Sequence, residues 1–188
     1  MTPPKNSPAL HLRCHPATPT SATLGLIVAV SVTLTGLQLV YGVTGNCAAL
    51  RIPPATQPGP ADGLWRHTCM EAFVAVKGDA AYREFNFSPS GQWAVYSFAG
   101  ERVRTSLDVD AAMQPSIQIQ SSLEQLTLTV HLPWSALPAR GSILNVALSA
   151  VIEEVNGRLS YWALLHPGEQ PDFHHPAGRA LRLALPEN

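Results

Sequence analysis

The chain has 188 residues, 46% of them hydrophobic, with 12 Lys and Arg set against 13 Asp and Glu. That length buries a substantial core in one domain without disulfides or structural metal, and the near balance of charge gives no basic footprint for nucleic acid or an anionic membrane, so neither is an expected partner. Cys14, Cys47 and Cys69 are an odd number of cysteines without CxxC spacing, which argues against a disulfide framework or a zinc knuckle and for free thiols in a reducing, cytoplasmic setting.

Residues 1–9 read as a loose tail and residues 10–188 as one domain, opened by LHLRCH (10–15) as a first edge strand. ATLGLIVAVSVTLTGLQLVYGV (22–43) is uncharged and long enough to span a bilayer. Its texture argues for strands instead. Val28, Val30, Val32 and Leu34 alternate with Ala29, Ser31, Thr33 and Thr35, and the alternation resumes after Gly36, which predicts a hairpin turning near that glycine. A secretory leader is not expected, because the apolar run starts late and lacks a small-x-small cleavage site.

PPATQPGPADG (53–63) is a loop by its prolines and glycines. Strand-like runs follow at 64–76, 82–88, 92–98, 116–122 and 125–132. PWSALP (133–138) and PDFHH (171–175) each suit one helical turn. Asn156 and Gly157 separate ILNVALSAVIEEV from RLSYWALLH and predict a hairpin with a type I′ turn. RALRLAL (179–185) is placed to close a sheet edge. Roughly ten short strands without a sustained helical period predict an all-β, single-domain sandwich of antiparallel strands.

LWRHTCMEAF, EFNFSPSGQWAVY, SYWALLH and PDFHH, in that order, resemble the bacterial DOMON-like proteins related to family 9 carbohydrate-binding modules. The resemblance runs from about Leu10 onward and implies a jelly-roll-like β-sandwich. Better-known relatives bind sugars or haem on one sheet face. Met70 stands where the family usually has Phe, a conservative change within a core.

Side chains of a strand alternate between faces, so Glu84, Asn86 and Ser88 share one side and Phe85 and Phe87 the other; His67, Cys69 and Glu71 likewise share a face. Pairing of these strands would bring Glu71 and Glu84 together as a carboxylate floor. Such acceptors fix sugar hydroxyls directionally while an aromatic ring covers the apolar sugar face. Trp65, Trp93, Tyr96, Tyr161 and Trp162 are the candidate platforms. The expected ligand site is therefore Glu71, Glu84, Asn86, Trp65, Trp93, Trp162 and His67, in a domain that binds a saccharide or sugar-bearing metabolite without chemistry. Two other readings stay open: a glycoside-acting enzyme with Glu71 and Glu84 as acid and base, and a protein-interaction module. The plainer alternative pairs the carboxylates with Arg66, Arg83 or Arg102 and sends the tryptophans into the core.

SPSGQW (88–93) is a turn and not a nucleophile elbow, so Ser88 and Ser90 are not read as nucleophiles. No metal or other cofactor is expected: His67, His166, His174 and His175 lack the spacing of a closed metal site. Haem would need an axial pair such as Met70 with a histidine, and Met70 is expected to face the core.

Overall fold

The structure is a computed structural model and describes residues 8–22 and 24–187; residues 1–7 of the expected tail lie outside the described residues. Thirteen strands follow in chain order: β1 (Leu10–Cys14), β2 (Leu24–Val32), β3 (Gly36–Gly45), β4 (Gly59–Pro60), β5 (Cys69–Val76), β6 (Tyr82–Phe87), β7 (Gln92–Gly100), β8 (Val103–Thr105), β9 (Ser116–Ser121), β10 (Gln125–Pro133), β11 (Ile143–Glu153), β12 (Leu159–Ala163) and β13 (Leu181–Ala184). They form a two-sheet sandwich. One sheet runs β1-β2-β3-β10-β9, and the other runs β4-β7-β6-β5-β11-β12, with β8 beside β7 and β13 beside β11. Among the described residues, the pairings are antiparallel except the short β4–β7 contact.

The stretch 22–43 is the expected hairpin, with Val28 opposite Tyr41 and Val32 opposite Leu37. Gly36 enters β3 against β10, where a Cβ would lie 1.8 Å from the Leu132 carbonyl oxygen. Only glycine fits there. Among the described residues, no helix is long and apolar enough to cross a membrane.

Two local expectations are corrected. β1 is not an edge: Leu10 to Leu12 pair with β2, whereas Arg13 and Cys14 pair with β12. By switching sheets, this strand pairs along its first part with one sheet and along its last part with the other, and so stitches the sandwich together. The turn between β11 and β12 is not type I′ either, since Gly157 has φ +85° but Asn156 does not have positive φ. The Gly157 N–H donates to the Glu154 carbonyl at 2.8 Å and the Glu154 N–H to that of Arg158 at 2.9 Å. This is a three-residue loop with its glycine in the left-handed position, a common alternative to the two-residue turn.

Between the sheets, Leu26, Val28, Leu39, Tyr41, Leu126, Leu128 and Val130 meet Met70, Ala72, Val74, Phe85, Phe87, Val146 and Leu148. Each large apolar side chain so buried contributes about 1.5 to 3 kcal/mol. Tyr41 crosses this core, and its hydroxyl donates to the Glu71 carbonyl at 2.8 Å. A smaller apolar cluster lies on the opposite face of the second sheet, where Phe73, Ala75, Tyr82, Ala94, Tyr96, Phe98 and Ala147 pack with Leu64 and Phe173. β5 is consequently buried on both faces. The outer face of this sheet is thus partly roofed, and the uncovered part is a groove.

Candidate functional site

The groove has a volume of about 530 Å³ and opens over β5, β6 and β7. Strand register builds its floor. Glu71 stands opposite Asn86 on β6 and opposite Ser149 on β11, while Glu84 stands opposite Phe73 on β5 and Tyr96 on β7. Glu71 and Glu84 are therefore diagonal neighbours on one face, at the spacing of about 7 to 8 Å usual for such positions. They are only 3% and 5% exposed.

Each carboxylate has a polar partner. Ser149 Oγ donates to Glu71 Oε2 at 3.3 Å, and Asn86 Nδ2 donates to Glu84 Oε1 at 2.6 Å. Burial, followed by the nearby charge of Glu84, pushes the Glu71 carboxyl well above its ordinary range, and the Ser149 hydrogen bond opposes this only in part. Glu84 is also raised, again chiefly by burial, against the stabilising effects of Asn86, Arg104 and Arg102. A protonated Glu71 donates a hydrogen bond as well as accepting one. Two carboxyl groups of one residue type can thereby play different roles.

His174 forms the wall beside Glu84, its Nε2 lying 3.6 Å from Glu84 Oε2. Loss of solvent, then the charge of Arg102, drives its pKa down to about 4 against the opposing pull of Asp172, so the ring is neutral. The Tyr82 hydroxyl accepts from the Arg102 N–H at 3.2 Å and lies 2.7 Å from His174 Nδ1; with this hydroxyl as the donor, the neutral ring carries its proton on Nε2, on the side of Glu84. Across the groove, Tyr96 donates to the Asp62 carboxylate. Burial and this hydrogen bond push the Tyr96 hydroxyl up to about 12, while the same bond lowers Asp62.

Trp65, Tyr161, Pro171 and Phe173 supply the apolar walls, and Arg66, Arg102 and Arg104 the charged rim. Trp65 leads from a 3-10 turn at Leu64–Arg66, entered through Gly63 at φ +71°, which delays the strand to Cys69. It is 46% exposed.

The structure divides the seven expected site residues. Glu71, Glu84 and Trp65 line the groove. Asn86 lies wholly buried behind it and reaches a ligand only by orienting Glu84. Trp93 and Trp162 are corrected: they are 5% and 6% exposed and belong to the core between the sheets. Trp93 alternates with Tyr96's face, and Trp162 Nε1 donates to Ser160 Oγ at 3.0 Å. His67 is also corrected, because it precedes β5 and its Nδ1 is held 2.7 Å from Glu153 Oε2, beside Arg51. Ser88 does not join the floor; its hydroxyl accepts from the Ser90 N–H in the β6–β7 turn.

Of the proposed arginine pairings, Arg83 donates to the Ala136 carbonyl and Arg102 pairs with Asp172 at 2.8 Å, so neither neutralises the floor. Sequence reasoning missed Asp62, Arg104 and the wall role of Phe173. Asp62 lies in a proline-rich loop and Arg104 on a three-residue strand, and neither position carries a legible period. Two histidines outside the groove serve the backbone: His175 Nδ1 accepts from the Ala177 N–H, and His15 Nδ1 from that of Ala17. Among the described residues, no group of three or more His, Cys, Asp and Glu side chains is arranged to hold a metal ion. Cys14, Cys47 and Cys69 carry free thiols, and Met70 faces the core.

No protein-family model and no curated protein sequence matches the chain. Several solved structures share its fold. A proposed carbohydrate-binding protein from Bacteroides uniformis is 18% identical, with a TM-score of 0.66 over 92% of this chain and 83% of that one. A family 9 carbohydrate-binding module from Caldicellulosiruptor kristjanssonii in complex with cellotriose is 7% identical, with a TM-score of 0.63 over 97% of this chain and 84% of its own. The structure of such a module from the same organism with glucose is 8% identical, with a TM-score of 0.60 over 95% and 85%. At these identities the likeness establishes the β-sandwich fold.

Proposed function

We propose that this chain is a non-catalytic saccharide-binding domain of the DOMON-like group, acting in the cytoplasm, with the groove over β5 to β7 as its site. The observation that carries the reading is the buried Glu71 and Glu84 pair beneath walls of Trp65, Tyr161 and Phe173. Directional acceptors under apolar walls are what a sugar needs, since its hydroxyls demand fixed hydrogen bonds and its C–H faces demand flat apolar surface. The shared fold of modules in complex with cellotriose and glucose supports the same ligand class. Free thiols support the reducing compartment.

Glu84 accepts from ligand hydroxyls with the lone pairs that Asn86 leaves open. The neutral His174 offers its Nε2 proton beside it, and Glu71 adds a second carboxyl deeper in the floor. Calorimetric titration with mono-, di- and trisaccharides tests this directly. Glu84→Gln keeps the shape and removes the charge, so it should weaken a bound sugar by about 1.5 to 3 kcal/mol, the worth of a charged hydrogen bond, while the cooperative melt persists. Absence of binding across the panel would refute the reading. The rival enzyme rests on the closeness of two carboxyls with raised proton affinity; hydrolysis of a bound glycoside, lost in Glu71→Gln and Glu84→Gln alike, would establish it.

A further inference from the structure

The rim of the groove carries three guanidinium groups, a donor set that a neutral sugar does not require. Arg66, Arg102 and Arg104 all line it, and their side chains are exposed. The acidic groups facing them are Asp62, Asp172 and Glu84: Asp172 is ion-paired with Arg102, Asp62 is lowered by the Tyr96 hydrogen bond and in part by the charges of Arg104 and Arg66, and Glu84, raised by burial, is held down in part by those of Arg104 and Arg102. Asp62 accepts from Tyr96, Asp172 pairs with Arg102 through one Nη, and Glu84 accepts from Asn86. Among the described residues, no carboxylate lies within 4.0 Å of the guanidinium of Arg66 or Arg104.

Stacking holds these two guanidinium groups in place. Arg104 Cζ lies 4.2 Å from the Tyr96 ring centroid, and Arg66 Cζ 5.2 Å from that of Trp65. A stacked guanidinium keeps its in-plane N–H groups available, and that planar fork matches the oxygens of a carboxylate or a phosphate. The arginines also cover part of the Tyr96 and Trp65 faces. An incoming ligand therefore meets N–H edges there as well as bare rings.

Arg102 carries the second observation. It is the one non-glycine among the described residues with positive φ, at +57°. A left-handed backbone is sterically unfavourable for a side-chain-bearing residue. Here it sits at the turn between β7 and β8, with its N–H on the Tyr82 hydroxyl and its side chain on Asp172, at the edge of the groove. Glycine would relieve this strain but would remove the charge from the rim. Two residues on, Arg104 stands opposite Phe98 in the β7–β8 pairing, so both cations flank the groove from one short element.

We propose that the groove, within the saccharide-binding reading on which this inference rests, selects a sugar unit bearing an exocyclic anion, a carboxylate or a phosphate. Arg104 and Arg102 hold the anion while the ring hydroxyls reach Glu84 and His174. The floor carboxyls are buried beneath the groove, and the arginines, whose charges also favour ionised Glu84, stand at its mouth.

The test uses the full chain and three probes that share one ring: methyl glucoside, methyl glucuronide, and glucose phosphorylated on its primary hydroxyl. In calorimetric titration, one or both anionic probes should bind roughly tenfold or more tighter than the neutral glucoside. The order of the two separates carboxylate from phosphate recognition. That preference should shrink as salt rises from about 0.02 to about 0.5 M, because screening weakens exposed charge pairs. Arg104→Gln and Arg102→Gln should each reduce the ratio of neutral to anionic dissociation constants toward one. Arg104→Lys keeps the charge without the planar fork and should retain part of the preference; it also controls for misfolding, with melting curves as a check. Equal or tighter binding of the neutral glucoside overturns the anion inference and leaves saccharide binding standing. If none of the three probes and no saccharide of the wider panel binds, both fall.

Discussion

Glu71→Gln should stabilise the protein increasingly as pH rises, because the native carboxyl is held in a place that resists its ionisation. Glu71 is buried against Cys69, Ser149 and Glu84, with Arg102 and Arg104 beyond Glu84 and His174 on the groove side. Its folded pKa lies well above the ordinary 4.5. Below about 4.5 both folded and unfolded chains hold the proton. Above it the unfolded chain releases the proton first, so stability that is full at low pH is lost as pH climbs toward the folded pKa. One proton gives a slope of up to about 1.4 kcal/mol per pH unit in that window. His174 acts in the opposite sense. Its pKa falls from 6.5 to about 4, so its contribution is complete above 6.5 and lost as pH falls through that interval.

Between pH 4.5 and 6.5 the raised carboxyls Glu71 and Glu84 therefore act against the lowered imidazoles His174 and His166. Each single variant shifts that balance. Urea denaturation at a series of pH values, with the same buffers for wild type and Glu71→Gln, reports the Glu71 carboxyl together with its interaction with Glu84, because His174 and the similarly lowered His166 are common to both proteins. The gain of the variant over wild type should grow with pH above about 4.5 at up to about 1.4 kcal/mol per unit. The isosteric amide keeps a partner for Ser149 Oγ. His174→Gln should steepen the fall of stability with rising pH across the same interval. A Glu71→Gln difference that is independent of pH, or that shrinks as pH rises, refutes the claim that burial dominates this carboxyl.

Phe85→Ala should cost roughly 3 to 5 kcal/mol in urea denaturation, because Phe85 is fully buried and stacks on Phe87 at 6.3 Å; a loss below about 1 kcal/mol would show that this core collapses onto the gap. The tryptophans should separate by place in the fold: Trp65→Ala stays within about 0.5 kcal/mol of wild-type stability while weakening any bound sugar in calorimetry, whereas Trp93→Ala costs about 3 to 5 kcal/mol. Equal destabilisation by the two would contradict the assignment of Trp65 to the groove wall.

What the sequence by itself determined is local. The period of two in Val28 to Val43, the punctuation by Gly36 and Gly157, and the opposed faces of Glu84 and Phe85 follow from backbone geometry, which sends successive side chains to opposite sides whatever the rest of the chain does. The pairing that joins Glu71 to Glu84 was legible for the same reason, since two polar rows of matching period suit adjacent strands. Which face of a strand meets which layer is not local. Trp93 and Tyr96 both look like aromatic platforms on one strand, and only the packing of the two sheets sends Trp93 into the core and Tyr96 toward the groove. β5 shows why alternation alone could not decide: the second sheet is covered on its outer face by Leu64, Phe173 and their loops, so both sides of the strand are buried. His67 was drawn away by an acidic partner 86 positions distant, Glu153. Arg102, Arg104, Asp62 and His174 converge from a tight turn, a short strand and two irregular loops. Their convergence depends on long-range sheet assembly, where non-local contacts overrule neighbours in the chain, and the tertiary structure alone decided it.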